Sequence, residues 1–243
     1  MHGSRTALAP IAWLAALFCA GIGPAEASSL QLEPVAIRLT PTSRSAVMQL
    51  KNSGKTPVQV QVRAFSWDQA GGEDQLSPTD QIRISPPIQA ISPGGEQFVR
   101  ILLDEKLAPE AEASFRLIVD ELPSAATTDG QVQMLIRYSV PVTVRPAGLT
   151  PPELHFRLRQ ELNGTELVAE NSGGQSAQLA DLQLTTTDGH VIRVNSGLLG
   201  YVLPGQARQW PLTLPPGTGS DRPIGITTKV DGKAGEYAIE GMR

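Results

Sequence analysis

From Ser28 onward apolar and polar residues alternate in short runs, and no stretch of ten or more residues keeps a helical period without a breaker. Val58-Gln59-Val60-Gln61-Val62-Arg63, Phe115-Arg116-Leu117-Ile118-Val119 and Val132-Gln133-Met134-Leu135-Ile136-Arg137-Tyr138 each place one apolar set on one side of an extended chain. Turn signals separate these runs at intervals of about 8–12 residues, the spacing of a sandwich or barrel. Asn52-Ser53-Gly54, Pro93-Gly94-Gly95, Asn163-Gly164, Asp188-Gly189, Pro204-Gly205 and Asp231-Gly232 supply the left-handed or proline-fixed positions that hairpins and corners need. The pattern predicts an all-β fold.

One stretch interrupts the alternation more strongly than any turn. Arg145-Pro146-Ala147-Gly148-Leu149-Thr150-Pro151-Pro152 carries three prolines, which cannot continue a central strand. It predicts two immunoglobulin-like β-sandwich domains in tandem, 28–146 and 153–243, joined by a linker at 147–152. Eight strands are expected in the second half: Glu153–Gln160, Glu166–Asn171, Ala177–Thr187, His190–Val194, Gly200–Leu203, Arg208–Leu214, Ile224–Val230 and Glu236–Glu240. No sequence repeat between the halves is visible.

Residues 1–27 depart from the alternating pattern. A short polar start with Arg5, an apolar stretch Ala7–Ile22 and the small-residue site Ala25-Glu26-Ala27 make up a secretory signal peptide, with cleavage expected after Ala27. Cys19, the only cysteine, falls in its apolar core, so the exported chain is expected to fold without a disulfide. No stable membrane insertion is expected after cleavage.

Composition narrows the function. The chain has 243 residues with 23 Gly and 20 Pro, too few for a low-complexity disordered protein. Its formal charge of −4 is spread over interspersed signs, so it lacks the basic footprint of a nucleic-acid binder. After the signal only His155 and His190 remain, and neither has metal-ligand spacing to another donor. No nucleophile elbow, phosphate loop or dinucleotide fingerprint occurs. The adjacent pairs Asp104-Glu105 and Asp120-Glu121 point to opposite faces of a strand and cannot flank one scissile bond. Neither enzyme activity, a metal nor a cofactor is expected.

Three segments of the first half say more. They are Ser85-Pro86-Pro87-Ile88 with Ile91-Ser92-Pro93-Gly94-Gly95 and Gln97-Phe98-Val99-Arg100; then Phe115 to Pro123, ending Glu121-Leu122-Pro123; then Val132 to Pro146, ending Ile136-Arg137-Tyr138-Ser139-Val140-Pro141 to Arg145-Pro146. In this order they resemble the N-terminal domain of PapD-like periplasmic pilus-assembly chaperones of the chaperone/usher pathway, most of all the spore-coat-U or archaic branch. The resemblance covers most of 30–146. The second half is similar only in size and strand pattern.

The resemblance implies a periplasmic chaperone that binds pilin-like subunits lacking their last strand. It lends them its own G strand, here about 131–144, and delivers them to an outer-membrane usher. Val132, Met134, Ile136 and Tyr138 share one parity and would fill the pilin groove; read from the residues alone, the same stripe could face the domain's own core. Better-known members hold the subunit's C-terminal carboxylate with an Arg and a Lys, but Ala36 and Pro141 occupy those positions here. Arg137, Arg38 and Arg116 are the candidate substitutes, with Arg100 a further possibility. The family's interdomain salt bridge maps onto Glu121 and Arg145, with Asp221 as third partner. Trp67 is expected to pack in the first sandwich. The alternative reading is a secreted two-domain immunoglobulin-like structural or adhesive surface protein, although the exported chain enters a strand almost at once, at Leu30, leaving no donor extension.

Overall fold

The computed structural model describes residues 30–107, 109–123, 134–162, 164–214 and 223–240, so the signal peptide, Val132 and Asp221 lie outside the described residues. Every regular element among the described residues is a β-strand. The first ten are β1 (Leu30–Glu33), β2 (Ile37–Leu39), β3 (Ser45–Asn52), β4 (Val58–Ala70), β5 (Glu73–Pro78), β6 (Ile82–Ser85), β7 (Ile88–Ile91), β8 (Glu96–Leu103), β9 (Ala113–Leu122) and β10 (Arg137–Val144). They form two sheets, ordered β1-β3-β8-β6 and β2-β10-β9-β4-β5, with β7 also paired to β4. Alternation decides what lies between them: Met48, Leu50, Val99 and Ile101 from one sheet meet Val60, Val62, Phe115, Leu117, Val119, Val140, Val142 and Val144 from the other.

The second sandwich comprises β11 (Leu154–Glu161), β12 (Gly164–Asn171), β13 (Ala177–Thr186), β14 (Val191–Arg193), β15 (Leu198–Val202), β16 (Ala207–Leu212), β17 (Pro223–Val230) and β18 (Lys233–Glu240). Each of the eight expected strands overlaps one of these. A short parallel pairing, Phe156 to Ile239 and Arg157 to Glu240, joins its layers into one order, β14-β13-β17-β18-β11-β12-β16, with β15 paired to β13. Phe156, Leu158, Leu167, Leu179, Leu182, Leu184 and Val202 fill its core.

The halves are more alike than their sequences suggest. Asn52 ends β3 and Asn171 ends β12, both fully buried. Asn52 Nδ2 donates to the carbonyls of Thr56 (2.7 Å) and Ile91 (3.1 Å), while its Oδ1 accepts from Gly54 N (2.9 Å). Asn171 repeats the arrangement with Gln175 O (2.8 Å), Val202 O (3.2 Å) and Gly173 N (3.0 Å). The backbone carbonyl of each receives the N–H of a Pro-Gly turn, Gly94 in one half and Gly205 in the other. Each Asn is therefore a rivet that satisfies buried turn carbonyls. The Asn-Ser-Gly and Pro-Gly elements thus form a structural repeat that is not evident from the sequence as a whole.

Candidate interdomain binding site

The sheet β2-β10-β9-β4-β5 buries its even-numbered β10 residues in the first core, so its odd-numbered β10 residues face outward. Register sets the rows of that outer face: Arg137 is opposite Asp120, Pro141 is opposite Arg116, and Arg116 is opposite Phe65 of β4. In the next row Thr143 lies between Ser114 and Arg38, because β2 runs parallel to β10.

Of the arginines singled out in the sequence, this geometry puts Arg137, Arg116 and Arg38 on one face and Arg100 on the outer side of the other sheet. Arg137 is already engaged: its Nε is 2.5 Å from Asp120 Oδ1, and Arg63 holds Asp120 Oδ2 at 2.6 Å. Burial alone would raise the Asp120 carboxyl, but the hydrogen bonds from Arg137 and Arg63 outweigh it and hold the group below its ordinary value. Arg38 is exposed, two strands from Arg116, roughly 10 Å across at the usual strand spacing.

Arg116 sits differently. Its guanidinium carbon lies 3.6 Å from the centre of the Trp67 ring and 5.1 Å from that of Tyr201 in β15, and the two rings meet edge to face at 5.5 Å and 85°. Among the described residues it has no hydrogen-bond acceptor. Desolvation lowers its pKa from the ordinary arginine value, with partial Coulombic support from Asp74 and Tyr201. Trp67 is buried, but not in the core of the first sandwich, its expected place; it forms the wall between the domains, and its indole Nε1 has no hydrogen-bond partner among the described residues. A tryptophan in a sandwich strand normally faces its own core, but β4 extends past that core to reach the second domain and carries Trp67 with it.

The second domain is clamped to this end of β4. The buried Gln69 donates through Nε2 to Tyr201 O (2.8 Å) and accepts at Oε1 from Leu203 N (3.0 Å). Gln206 Oε1 accepts from Gln69 N at 2.6 Å, and Gly72 O receives Gln209 N at 2.9 Å and also Arg208. Gly72 has φ of 81°, and a side chain there would run into Gln209.

The expected ion pair of Arg145 with Glu121 is not formed. Arg145 Nε bonds Glu112 at 2.5 Å, Glu112 Oε1 accepts from Ser176 N, and Arg145 also donates to Gln175 Oε1. Glu121 lies near the far end of β9, roughly 27 Å away at 3.4 Å per residue, beside Ile136. Motif spacing selects the charged residue after the strand's apolar run; the register instead delivers the one before it to the linker.

The apolar stripe divides in two. The expected strand about 131–144 begins only at Arg137 among the described residues, with Met134–Ile136 outside any strand. Tyr138 packs against the first core and donates its hydroxyl to Leu30 O at 2.9 Å, joining Val140, Val142 and Val144 on the domain's own side. Met134, 73% exposed, and Leu135, 42% exposed, extend beyond that core, with Ile136 half-buried. β2 is laddered only to Val142–Val144, so no described strand covers that edge of Arg137–Pro141.

No group of three or more metal-ligating side chains occurs among the described residues. His155 bonds Glu240 and His190 bonds Asp188, both on the second domain's surface.

Comparison with known proteins agrees with this architecture. Residues 29–150 match the family described as pili and flagellar-assembly chaperone, PapD N-terminal domain. No curated protein matches the sequence. Among solved structures, the chain is similar to a chain of the CsuC–CsuE chaperone–tip adhesion subunit pre-assembly complex from archaic Csu pili of Acinetobacter baumannii. Identity there is 25% and the TM-score 0.68, covering 87% of this chain and 98% of that one. The fold is also similar to that of the E. coli chaperone DraB, at 20% identity and TM-score 0.59, over 88% and 96% of the two chains. A third likeness is to the Salmonella enterica SafA pilin–SafB chaperone complex, at 18% and 0.61, over 87% and 94%. A family match over half its length places the chain in the PapD family of pilus-assembly chaperones.

Proposed function

We propose that this protein is exported to the periplasm, caps pilin-like subunits by lending them the edge of β10 and the segment leading into it, and passes them to an outer-membrane usher. The observation that carries this reading is the exposed Met134 and Leu135 leading into half-buried Ile136, with Met134 and Ile136 continuing the parity of a core strand past the end of its own core. Such an edge is a liability for a monomer and a working surface for strand addition. Release by exchange for a better-fitting strand needs no cofactor.

The same reading assigns the subunit's C-terminal carboxylate to Arg116, with Arg38 as the nearer edge cation. Arg116 stands across from Pro141, the position where a Lys is missing, and has no acceptor among the described residues, whereas Arg137 is held by Asp120. A desolvated guanidinium gains more from a carboxylate than a solvated one does.

Co-expression of the full chain with a pilin-like subunit from the same organism tests the reading. The wild type is expected to yield a soluble one-to-one complex, and Ile136→Asp to leave the chaperone folded but the subunit aggregated. Soluble subunit with the Ile136→Asp variant would overturn strand donation.

A further inference from the structure

The ring facing Arg116 from the second domain is that of Tyr201, whose phenolic hydrogen is uncommitted among the described residues. Gln178 Nε2 donates to Tyr201 Oη at 2.9 Å, so that oxygen already serves as an acceptor. Its own hydrogen has no acceptor among the described residues, the guanidinium of Arg116 has none, and neither has the buried indole N–H of Trp67. Where the domains meet, Arg116 and Tyr201, both half-buried and in ring contact at 5.1 Å, each therefore keep a donor without an acceptor among the described residues. A group that only accepts and carries negative charge suits the Arg116 and Tyr201 donors alike.

Tyr201 does not occupy this place by chance packing. Its carbonyl and the N–H of Leu203 are held by the two ends of the Gln69 carboxamide, two residues along β4 from Trp67. Its ring is fixed edge to face on Trp67. One short stretch of β4 thus sets both the indole that Arg116 stacks on and the phenol that faces it.

We propose that Tyr201 donates its phenolic hydrogen to the same carboxylate that Arg116 binds, so that the anchor is built by both domains and Gln69 is its positioning residue. This rests on the assignment of Arg116 above. It goes further in making the second domain part of the binding site: a subunit terminus is gripped only while the two domains hold their clamped orientation.

The test uses the full chain labelled for NMR, titrated at pH 7 and constant ionic strength with N-acetylglycine, a free carboxylate, and with N-acetylglycinamide, its neutral counterpart. The indole signal of Trp67 and the side-chain Nε–H of Arg116 report occupancy. The carboxylate is expected to produce saturable shifts that the amide does not. Tyr201→Phe, which keeps the ring, should weaken the carboxylate by about tenfold, the loss of one hydrogen bond to a charged group. Gln69→Leu should weaken it as well, while Arg116→Gln abolishes it. Unchanged affinity in Tyr201→Phe together with loss in Arg116→Gln would overturn the role of Tyr201 and leave the Arg116 anchor standing. Failure of the wild type to distinguish carboxylate from amide, or full binding by Arg116→Gln, would overturn the anchor itself and the shared site with it.

Discussion

Arg116 and Trp67 are stacked at 3.6 Å, the cation from one strand of the first domain and the indole from another, and Tyr201 of the second domain closes on both. Cation–π contact of this kind is worth about 0.5–2 kcal/mol and Asp74 adds Coulombic support, yet the half-buried guanidinium has no hydrogen-bond acceptor among the described residues. An anionic partner makes the arrangement intelligible. Arg116→Gln is accordingly expected to melt within a few degrees of the wild type by calorimetry, yet to bind a subunit at least tenfold more weakly.

The paired asparagines carry an expectation about stability. Replacing Asn52 or Asn171 with Ala strips partners from two carbonyls and one turn N–H, and at Asn171 from Glu153 N as well. Each substitution should cost about 2–4 kcal/mol in urea unfolding, because both lose the two carbonyl bonds and the turn bond. A cost below about 0.5 kcal/mol at either site would show that the turns hold themselves.

Glu112 and Arg145 form the ion pair at the linker, the carboxylate wholly buried and the guanidinium 30% exposed. Arg145→Ala leaves that carboxylate uncompensated and should destabilise by about 3 kcal/mol, whereas Glu112→Gln, which retains an acceptor for Ser176 N, should cost less. Thermal unfolding gives the order. Small-angle scattering of Arg145→Ala should also show a broader spread of interdomain orientations.

Asp120 provides a pH signature. Its pKa is depressed in the folded chain, so its ionised form adds stability that is fully present above the unfolded value near 4. That increment is lost as pH falls through the folded value. Unfolding free energies of the wild type and Asp120→Asn, measured from about pH 6 to pH 2, should therefore converge toward the acid end. Curves that stay parallel would mean that Arg63 and Arg137 give Asp120 no net support.

Much of the fold was legible because alternation and turn residues act locally. Every strand expected in the second half overlaps an observed one, and Ala177–Thr187 and Ile224–Val230 differ from β13 and β17 only at their ends. The site was harder to read because it depends on register. Arg116 stood among several basic candidates until its pairing with Pro141 and Phe65 fixed its row. Tyr201 carried no signal at all, since a lone Tyr before Val202-Leu203-Pro204 looks like any strand residue. Its place is set by Gln69, which lies in the other domain and holds its carbonyl. The Glu112 partner of Arg145 was missed because motif spacing counts residues along the chain, while the ion pair forms across strands. The repeated asparagine was available as Asn-Ser-Gly in both halves, but the unequal distance from each to its Pro-Gly turn hid the correspondence.

Strand donation is the claim on which the rest depends, and hydrogen–deuterium exchange of the full chain with and without a co-purified pilin-like subunit measures it directly. The account predicts new protection of backbone amides along Ile136–Val140, where the described ladder leaves one edge of β10 uncovered, while the core amides of β3 and β8 are unchanged. Protection confined to the second sandwich, with Ile136–Val140 exchanging as in the free chain, would contradict it.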